Sequence, residues 1–253
     1  MSEADGAELP RSLRLLWGHE EPQRRGPKPG LSLQSIAAAA IKLADSEGLD
    51  AVSMSRVADQ LGVTTMALYR YVSSKDDLVA LMLDVASGKP DLPVKAEEGW
   101  RARLERWSWK YLAALRRHPW ITRIPISGPP ITPNQVAWME AALAALSATP
   151  LTEAEQLSVL LMVSNYVRSV GQLAADLAQA ERDAGPAQPS VMGRYGRMLA
   201  QLIDAESFPT LCSFLRSGVF DQPDDDLDVE FNFGLQILLD GVAQLVWERQ
   251  SKA

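Results

Sequence analysis

The stretch SMSRVADQLGVTTMALYRYVSSKDDL, residues 53–78, decides the fold of this chain. Ser53 is a favourable helix N-cap, and the apolar side chains that follow recur every three or four residues, as on one face of a helix. Gly62 stands where a left-handed residue turns the chain without a steric penalty, and Thr64 or Thr65 is placed to cap the next helix. The stretch therefore predicts a helix-turn-helix.

This motif has two interpretations: a corner of an ordinary helical bundle, or a unit whose second helix lies in the major groove of DNA. The second is favoured because the inward positions of both helices and of the turn all fit at once. Those inward positions are Val57, Ala58, Leu61, Gly62, Val63, Leu68 and Tyr71. The side chains predicted to contact DNA are Ser53, Ser55, Arg56, Thr64, Thr65, Met66, Tyr69, Arg70, Tyr71 and Lys75.

The residues before the motif predict an N-terminal arm and one further helix. Residues 1–31 contain several prolines and glycines, so we expect a flexible basic arm, with one short amphipathic turn near Leu13–Trp17. Its Arg24, Arg25 and Lys28 suit either a solvated linker or an arm that reaches into the minor groove of DNA. Ser32 predicts the start of a helix over 33–47, which Gly48 ends.

The residues after the motif predict a connecting helix and then a second, larger domain. Lys75 begins a helix that runs to residue 86, and residues 87–99 hold two prolines and two glycines, which mark a domain boundary. We therefore assign a DNA-binding domain to residues 32–86 and a helical effector-binding and dimerisation domain to residues 99–250. Helices are predicted there at 100–117, 133–146, 152–180, 191–204, 209–217 and 228–249.

Composition and charge limit the classes of protein that fit. The chain has 253 residues, 47% of them hydrophobic, and one cysteine, Cys212, so no disulfide within the chain is possible. It has no apolar run of about 20 residues that would span a membrane, and we expect a cytoplasmic protein. Its net charge is −7, yet residues 22–77 hold seven basic and six acidic side chains. The charge distribution therefore permits DNA binding, and the motif carries the prediction.

The sequence contains no catalytic pattern, and we predict neither a metal site nor a cofactor. His19 and His118 lie far apart, and the acidic run at 222–228 lacks the spacing of a calcium loop, which leaves a solvated loop before a helix. Aromatic and methionine side chains on expected inward faces of the second domain suit either an ordinary core or a cavity for an apolar or aromatic ligand. The predicted ligand-binding residues are Trp107, Tyr111, Trp138, Met139, Met162, Asn165, Tyr166, Met192 and Tyr195.

Residues 33–84 resemble the N-terminal domain of the TetR family of bacterial transcriptional repressors. The resemblance is strongest at Leu68-Tyr69-Arg70-Tyr71-Val72 and Lys75-Asp76-Asp77-Leu78, and a fainter similarity to the tetracycline-repressor branch extends beyond residue 98. It implies phosphate contacts from Tyr69 and Lys75, a double-stranded DNA operator, a small-molecule effector and a homodimer. The dimer would pair through the helices at 152–180 and 228–249, where Gly171, Ala174, Ala175, Leu238 and Val242 are the candidate contacts.

These patterns together predict an all-α fold, in which a three-helix helix-turn-helix domain precedes a larger helical ligand-binding and dimerisation domain. The predicted function is that of a homodimeric, ligand-responsive repressor of transcription. Two alternatives remain open at this point: a helical small-molecule-binding protein without regulatory DNA binding, and a helical enzyme. Specific operator binding separates the first alternative from a repressor, and turnover of a bound ligand would reveal the second.

Overall fold

The computed structural model describes residues 11–19, 31–93, 98–126, 128–185, 190–220 and 227–252. Within these ranges the regular structure is entirely helical, which confirms the predicted all-α fold. The chain divides into two compact units, one ending at Met162 and the other beginning at Val163. None of the described helices combines the length and the apolar character that a membrane span requires.

The N-terminal part of the first unit contains the predicted helix-turn-helix and its flanking helices. These are α1 (Arg11–Leu16), α2 (Leu33–Glu47), α3 (Met54–Leu61), α4 (Thr65–Leu68) and α5 (Lys75–Ser87), with a 3₁₀ turn at Leu49–Ala51. Ser32 and Ser35 form a reciprocal capping box that begins α2, as the serine at position 32 predicted. Helix α2 packs against α3 and α5, and its alanine-rich inner face allows this close approach.

Two features of this part differ from the sequence prediction. The sequence predicts that Ser73-Ser74 ends the recognition helix, whereas α4 is a single turn that ends at Leu68, because the carbonyl of Leu68 accepts from the amides of both Tyr71 and Val72 and tightens the chain. Helix α1 is not loosely held: Ser12, Leu13 and Leu15 are buried, and the helix packs on α5. Apolar spacing near residue 13 was visible in the sequence, but its partner surface on α5 was not.

The rest of the first unit is formed by α6 (Trp100–Arg117), a 3₁₀ helix (Pro119–Arg123), α7 (Pro133–Leu146) and the start of α8 (Glu153–Ala184). Helices α6 and α7 pack on each other, and α5 contacts both. A capping box begins α8, since the amide of Thr152 donates to Glu155 and the amide of Glu155 donates to the Thr152 hydroxyl. The compact unit thus continues past the linker at 87–99, where we placed the domain boundary.

The second unit contains the remainder of α8 with α9 (Val191–Leu202), α10 (Pro209–Ser217) and α11 (Leu227–Gln250). Phe231, Leu235 and Leu239 of α11 are fully buried, together with Val163 and Val167 of α8. Tyr166 stacks on Phe231 with ring centroids 5.6 Å apart, and its hydroxyl donates to the Phe231 carbonyl at 2.9 Å. Gly234 permits this contact, because a Cβ there would lie 2.2 Å from the Tyr166 hydroxyl oxygen.

Candidate nucleic-acid interface

The turn between α3 and α4 is closed by a Schellman motif. The Gly62 amide donates to the Asp59 carbonyl and the Val63 amide donates to the Ala58 carbonyl, with Gly62 at φ +65°. The Ser53 hydroxyl caps the other end of α3 by accepting from the Arg56 amide at 3.3 Å. Because Ala58 is buried and has only a methyl side chain, α4 can follow α3 closely. These local interactions fix the direction in which the recognition helix projects.

The outer side of α4 carries the side chains that were predicted to face DNA. Met66 is 71% exposed and Tyr69 is 46% exposed, and Arg70 is also exposed. Thr65 is half-buried, and the exposed Thr64 precedes α4 without a capping hydrogen bond from its side chain. Exposed apolar side chains that lie close together on a surface mark candidate interaction sites. The exposure of Met66 and Tyr69 is therefore consistent with a groove-facing surface.

Lys75 lies at the start of α5, immediately after the recognition segment. The Ser74 hydroxyl caps this helix by accepting from the Asp77 amide at 3.0 Å, and Asp77 in turn accepts from the Ser73 amide at 2.9 Å. The exposed Lys75 ammonium thus lies beside the positive end of a helix of 13 residues. A phosphate placed there would meet both the lysine and the helix dipole.

Four predicted DNA contacts form hydrogen bonds with other groups of the protein. Arg56 forms a bidentate ion pair with Glu47 at 2.7 and 2.8 Å, so a phosphate would have to compete with that carboxylate. The half-buried Tyr71 donates to the Leu31 carbonyl at 3.1 Å, which fixes the chain just before α2. Ser53 caps α3, and its hydroxyl lies 3.1 Å from that of Ser55. Arg24, Arg25 and Lys28 lie outside the described residues.

Three of the predicted ligand-binding residues form an aromatic cluster in the first unit. The rings of Trp107, Tyr111 and Trp138 lie 5.1–5.9 Å apart between their centroids, with both tryptophans buried and Tyr111 half-buried. The Trp107 indole donates to the Trp138 carbonyl, and the Trp138 indole donates to the Gly88 carbonyl, each at 2.9 Å. The cluster is thereby tied to the C-terminal end of α5. Met139, also half-buried, follows Trp138 on α7.

The other predicted ligand residues differ in their surroundings. Met162, Asn165, Met192 and Tyr195 are exposed in the single chain, so the expected inward orientation was wrong for them. On α9 the buried positions are Gly193 and Gly196, which face Phe220, while Tyr195 meets the Phe220 ring edge to face, with centroids 5.6 Å apart, and still stays exposed. Tyr166 is half-buried, and burial, with a smaller effect of the Glu230 carboxylate, raises the pKa of its phenol.

The sequence analysis missed two hydrogen-bonded contacts of the first unit, one at Asp84 and one at Asp45. The carboxylate of Asp84, buried in α5, accepts from the amide of Asn134 at the start of α7 at 2.7 Å. Asp45 of α2 accepts from the Trp120 indole at 2.7 Å and contacts the His118 imidazole at 2.8 Å. A carboxylate inside the apolar run around Leu81 and Met82 was a signal of the contact at Asp84. The contact between Asp45 and Trp120 joins residues 75 positions apart, and no local pattern indicates it.

Comparison with known sequences agrees with both parts of the chain. The family "Bacterial regulatory proteins, tetR family" matches residues 36–82, and "Tetracyclin repressor-like, C-terminal domain" matches residues 92–246. The first match ends within α5, and the second begins five residues after the end of that helix. Together they cover the helix-turn-helix with most of its flanking helices α2 and α5, and most of the helices that follow.

Individual proteins show the same likeness over nearly their whole length. The HTH-type transcriptional repressor DrrR1 of Streptomyces coeruleorubidus is 36% identical over 97% of this chain and 90% of its own. An HTH-type transcriptional regulator of Saccharopolyspora erythraea is 31% identical over 90% of this chain and 91% of its own. The solved structure of the Streptomyces coelicolor TetR family protein ActR in complex with actinorhodin is 25% identical, covers 86% of this chain and 99% of its own, and has a TM-score of 0.71. The chain belongs to the TetR family of DNA-binding transcriptional repressors.

Proposed function

We propose that this repressor acts as a homodimer, binds a palindromic operator, and leaves it when a small apolar or aromatic ligand binds. The observation that carries the proposal is the exposure of Met66 on the recognition helix and of Tyr69 and Arg70 directly after it. A dimer with twofold symmetry presents two such helices, and each reads one half of a palindrome.

At the operator, Arg70 is the candidate reader of base identity. Its guanidinium can donate to O6 and N7 of a guanine together, whereas Met66 and the Thr65 methyl suit the methyl group of a thymine. Tyr69 and Lys75 are proposed to contact phosphates, with Ser53, Ser55 and Thr64 beside them. Arg24, Arg25 and Lys28 remain proposed contacts of the N-terminal arm, and Arg56 would contact DNA only by leaving Glu47.

The homodimer is supported by apolar side chains that the single chain leaves exposed on α8 and α11. On α11, Val229, Phe233 and Ile237 follow one another at intervals of four residues and are exposed. Val242, one of the expected contacts, is instead buried within the chain, and Leu238 is half-buried. The proposed α11 contact surface is therefore the stripe at 229, 233 and 237, which lies one position away from the expected row.

The ligand is proposed to act on the cluster of Trp107, Tyr111 and Trp138. ActR, of similar fold, is known in complex with actinorhodin, and an aromatic wall of this kind suits an aromatic ligand. Because the Trp138 indole donates to the Gly88 carbonyl, a ligand that moves this ring would disturb the end of α5. Met139 and Met162 remain proposed contacts in the first unit, and Asn165, Tyr166, Met192 and Tyr195 remain a separate proposal within the second unit. Ligand binding would shift the equilibrium between the operator-binding conformation and the released one. The size of the shift is the difference in the ligand's binding free energy for the two conformations, typically about 1–3 kcal/mol.

Footprinting of the purified protein on fragments of genomic DNA tests this function. We expect protection of an inverted repeat, followed by loss of protection when a ligand selected by its effect on thermal stability is added. Protection without any ligand effect would contradict the allosteric part alone. Absence of specific protection would favour the second candidate, a helical ligand-binding protein without regulatory DNA binding.

A further inference from the structure

Helix α1 connects two places in the first unit that are far apart in sequence. Ser12, Leu13 and Leu15 are buried, and the helix packs on α5. From one end of it, Arg11 Nη1 donates to the backbone carbonyl of Arg70 at 2.9 Å, just beyond the recognition helix. Just beyond the other end, Trp17 Nε1 donates to the carbonyl of Ile131 at 2.9 Å, in the loop before α7. We refer to residues 11–17 with these two contacts as the α1 strap.

The contact at Arg70 holds the turn that directly follows α4. Arg70 lies two residues beyond Leu68, the last residue of α4, in the turn whose Tyr71 and Val72 amides both donate to the Leu68 carbonyl. A guanidinium that donates to the Arg70 carbonyl satisfies that acceptor and holds the turn in place. Since α4 is only four residues long, its own hydrogen bonds cannot hold it rigidly, and contacts from outside must fix its position.

The contact at Ile131 joins the strap to the part of the unit that carries the aromatic cluster. Ile131 precedes Thr132, the N-cap of α7, and α7 carries Trp138. Displacement of that loop would therefore pull on Trp17, and through α1 on the carbonyl of Arg70. We propose that the α1 strap positions the recognition helix and links its position to the loop before α7. This inference rests on the proposed function, because it assigns a part of that function to Arg11 and Trp17.

Hydrogen exchange of the full-length protein without DNA tests both ends of the strap. Arg11→Met removes the donor to Arg70 and should speed exchange of the Tyr71 and Val72 amides about tenfold. Trp17→Phe keeps an aromatic ring but removes the indole N–H, and it should speed exchange of the same two amides about threefold, although Trp17 does not contact them. Unchanged exchange at Tyr71 and Val72 in both variants would overturn the proposal. A change with Arg11→Met alone would overturn the link to the α7 loop.

Arg14→Met is the matched control, because it removes the same charge from the same helix without removing the donor to Arg70. It should leave exchange at Tyr71 and Val72 close to that of the unmodified protein. Arg11→Lys keeps a cationic donor on a shorter side chain, and partial restoration of slow exchange is expected. If Arg14→Met and Arg11→Met speed exchange equally, general loss of α1 packing explains the effect, and the positioning role of Arg11 is wrong.

Operator binding separates positioning from direct contact with DNA. Arg11→Met should weaken binding to a footprinted operator about tenfold and leave the slope of log affinity against log salt unchanged. A slope smaller by about one unit would make Arg11 a phosphate contact and overturn the positioning role. If the unmodified protein protects no operator, the proposed function fails, while the exchange measurements still decide whether the strap holds α4.

Discussion

Two regions differ in how many large apolar side chains they leave exposed. One is the reading head, residues 32–88, all of which are described, and the other is the unit that begins at Val163. In the reading head the only large hydrophobic side chains left exposed are Met66 and Tyr69, both in the recognition segment. Such side chains are spread over every helix of the second unit. They are Leu173, Met192, Tyr195, Met198, Leu202, Phe208, Leu211, Phe214, Val219, Val229, Phe233, Ile237 and Trp247.

This difference in exposed apolar side chains indicates which surface of each region is available to bind a partner. The reading head is closed by caps, a Schellman turn and a buried alanine-rich contact, so its remaining apolar surface is confined to the side proposed for DNA. The second unit has a buried core around Phe231 and Leu235, yet the large apolar side chains named above stay exposed, and such side chains grouped on a surface mark an interaction site. A second copy of the chain is the partner we propose for the stripe at 229, 233 and 237.

The largest effect is expected from a charge placed in that stripe. Phe233→Asp should dissociate the dimer, because a carboxylate buried at the interface without a partner costs several kcal/mol. Operator affinity should fall by at least about 100-fold, since each half-site would then be bound without the benefit of the other. Analytical ultracentrifugation and operator titration measure the two consequences.

Asn232→Asp is the control for Phe233→Asp, because it adds the same charge at the neighbouring exposed position, about 100° around the helix. It should leave the dimer intact. A Phe233→Asp variant that remains dimeric at low micromolar concentration would show that α11 does not form the interface, and that its exposed stripe has another role.

The next effect concerns the core of the second unit. Gly234→Ala should lower the free energy of unfolding by about 1–3 kcal/mol, because the added Cβ would meet the Tyr166 hydroxyl oxygen at 2.2 Å and force α8 and α11 to adjust. Thermal unfolding measures it as a fall of several degrees in Tm. Gly241→Ala on the same helix meets no atom within 4 Å, and helix propensity predicts equal or higher stability there. Equal Tm values for the two variants would show that the Tyr166 contact is not a tight one.

The reading head could be predicted almost completely because its determinants are local. Ser32, Ser53 and Gly62 act within a few residues of their own positions, and the structure uses all three as expected. The helix starts near Thr152 and Ser190 were predictable for the same reason, since a hydroxyl that caps the first turn needs only its neighbours in sequence.

What could not be predicted depends on contacts between distant residues. The sequence shows Trp107 and Trp138 as apolar positions, but not that their indoles hydrogen-bond in series to the end of α5. On α9 the alternation of glycine and large side chains was compatible with either orientation, and only Phe220 decides which side is buried. For α1 the two ends bond to Arg70 and Ile131, which are 59 and 114 residues away, respectively, from the strap residues that bind them.

An effect confined to one operator position is expected at the recognition helix. Arg70→Ala should cost about 1–3 kcal/mol at one operator base pair and relax the preference for guanine there, because the bidentate contact is lost. Titration against operators with single substitutions measures this preference. Met66→Ala is the companion variant and should affect a thymine position instead. A loss that is uniform over all operator variants would make Arg70 a phosphate contact and would leave the reading of bases to Met66 and Thr65.

The smallest effect is expected at Lys75. It tests whether this charged side chain contacts phosphates without reading sequence, in contrast to the base contacts proposed for Met66 and Arg70. Lys75→Ala should weaken binding to specific and unrelated DNA by the same modest factor, because a phosphate contact carries no information about sequence. The slope of log affinity against log salt should become smaller by about one unit. Lys110→Ala on α6 removes the same charge from an exposed position on a helix where no DNA contact is predicted, and its slope should stay close to that of the unmodified protein. If Lys75→Ala leaves the slope unchanged, Lys75 lies outside the interface, and the phosphate contacts belong to Tyr69 and the serine and threonine hydroxyls near the start of each helix.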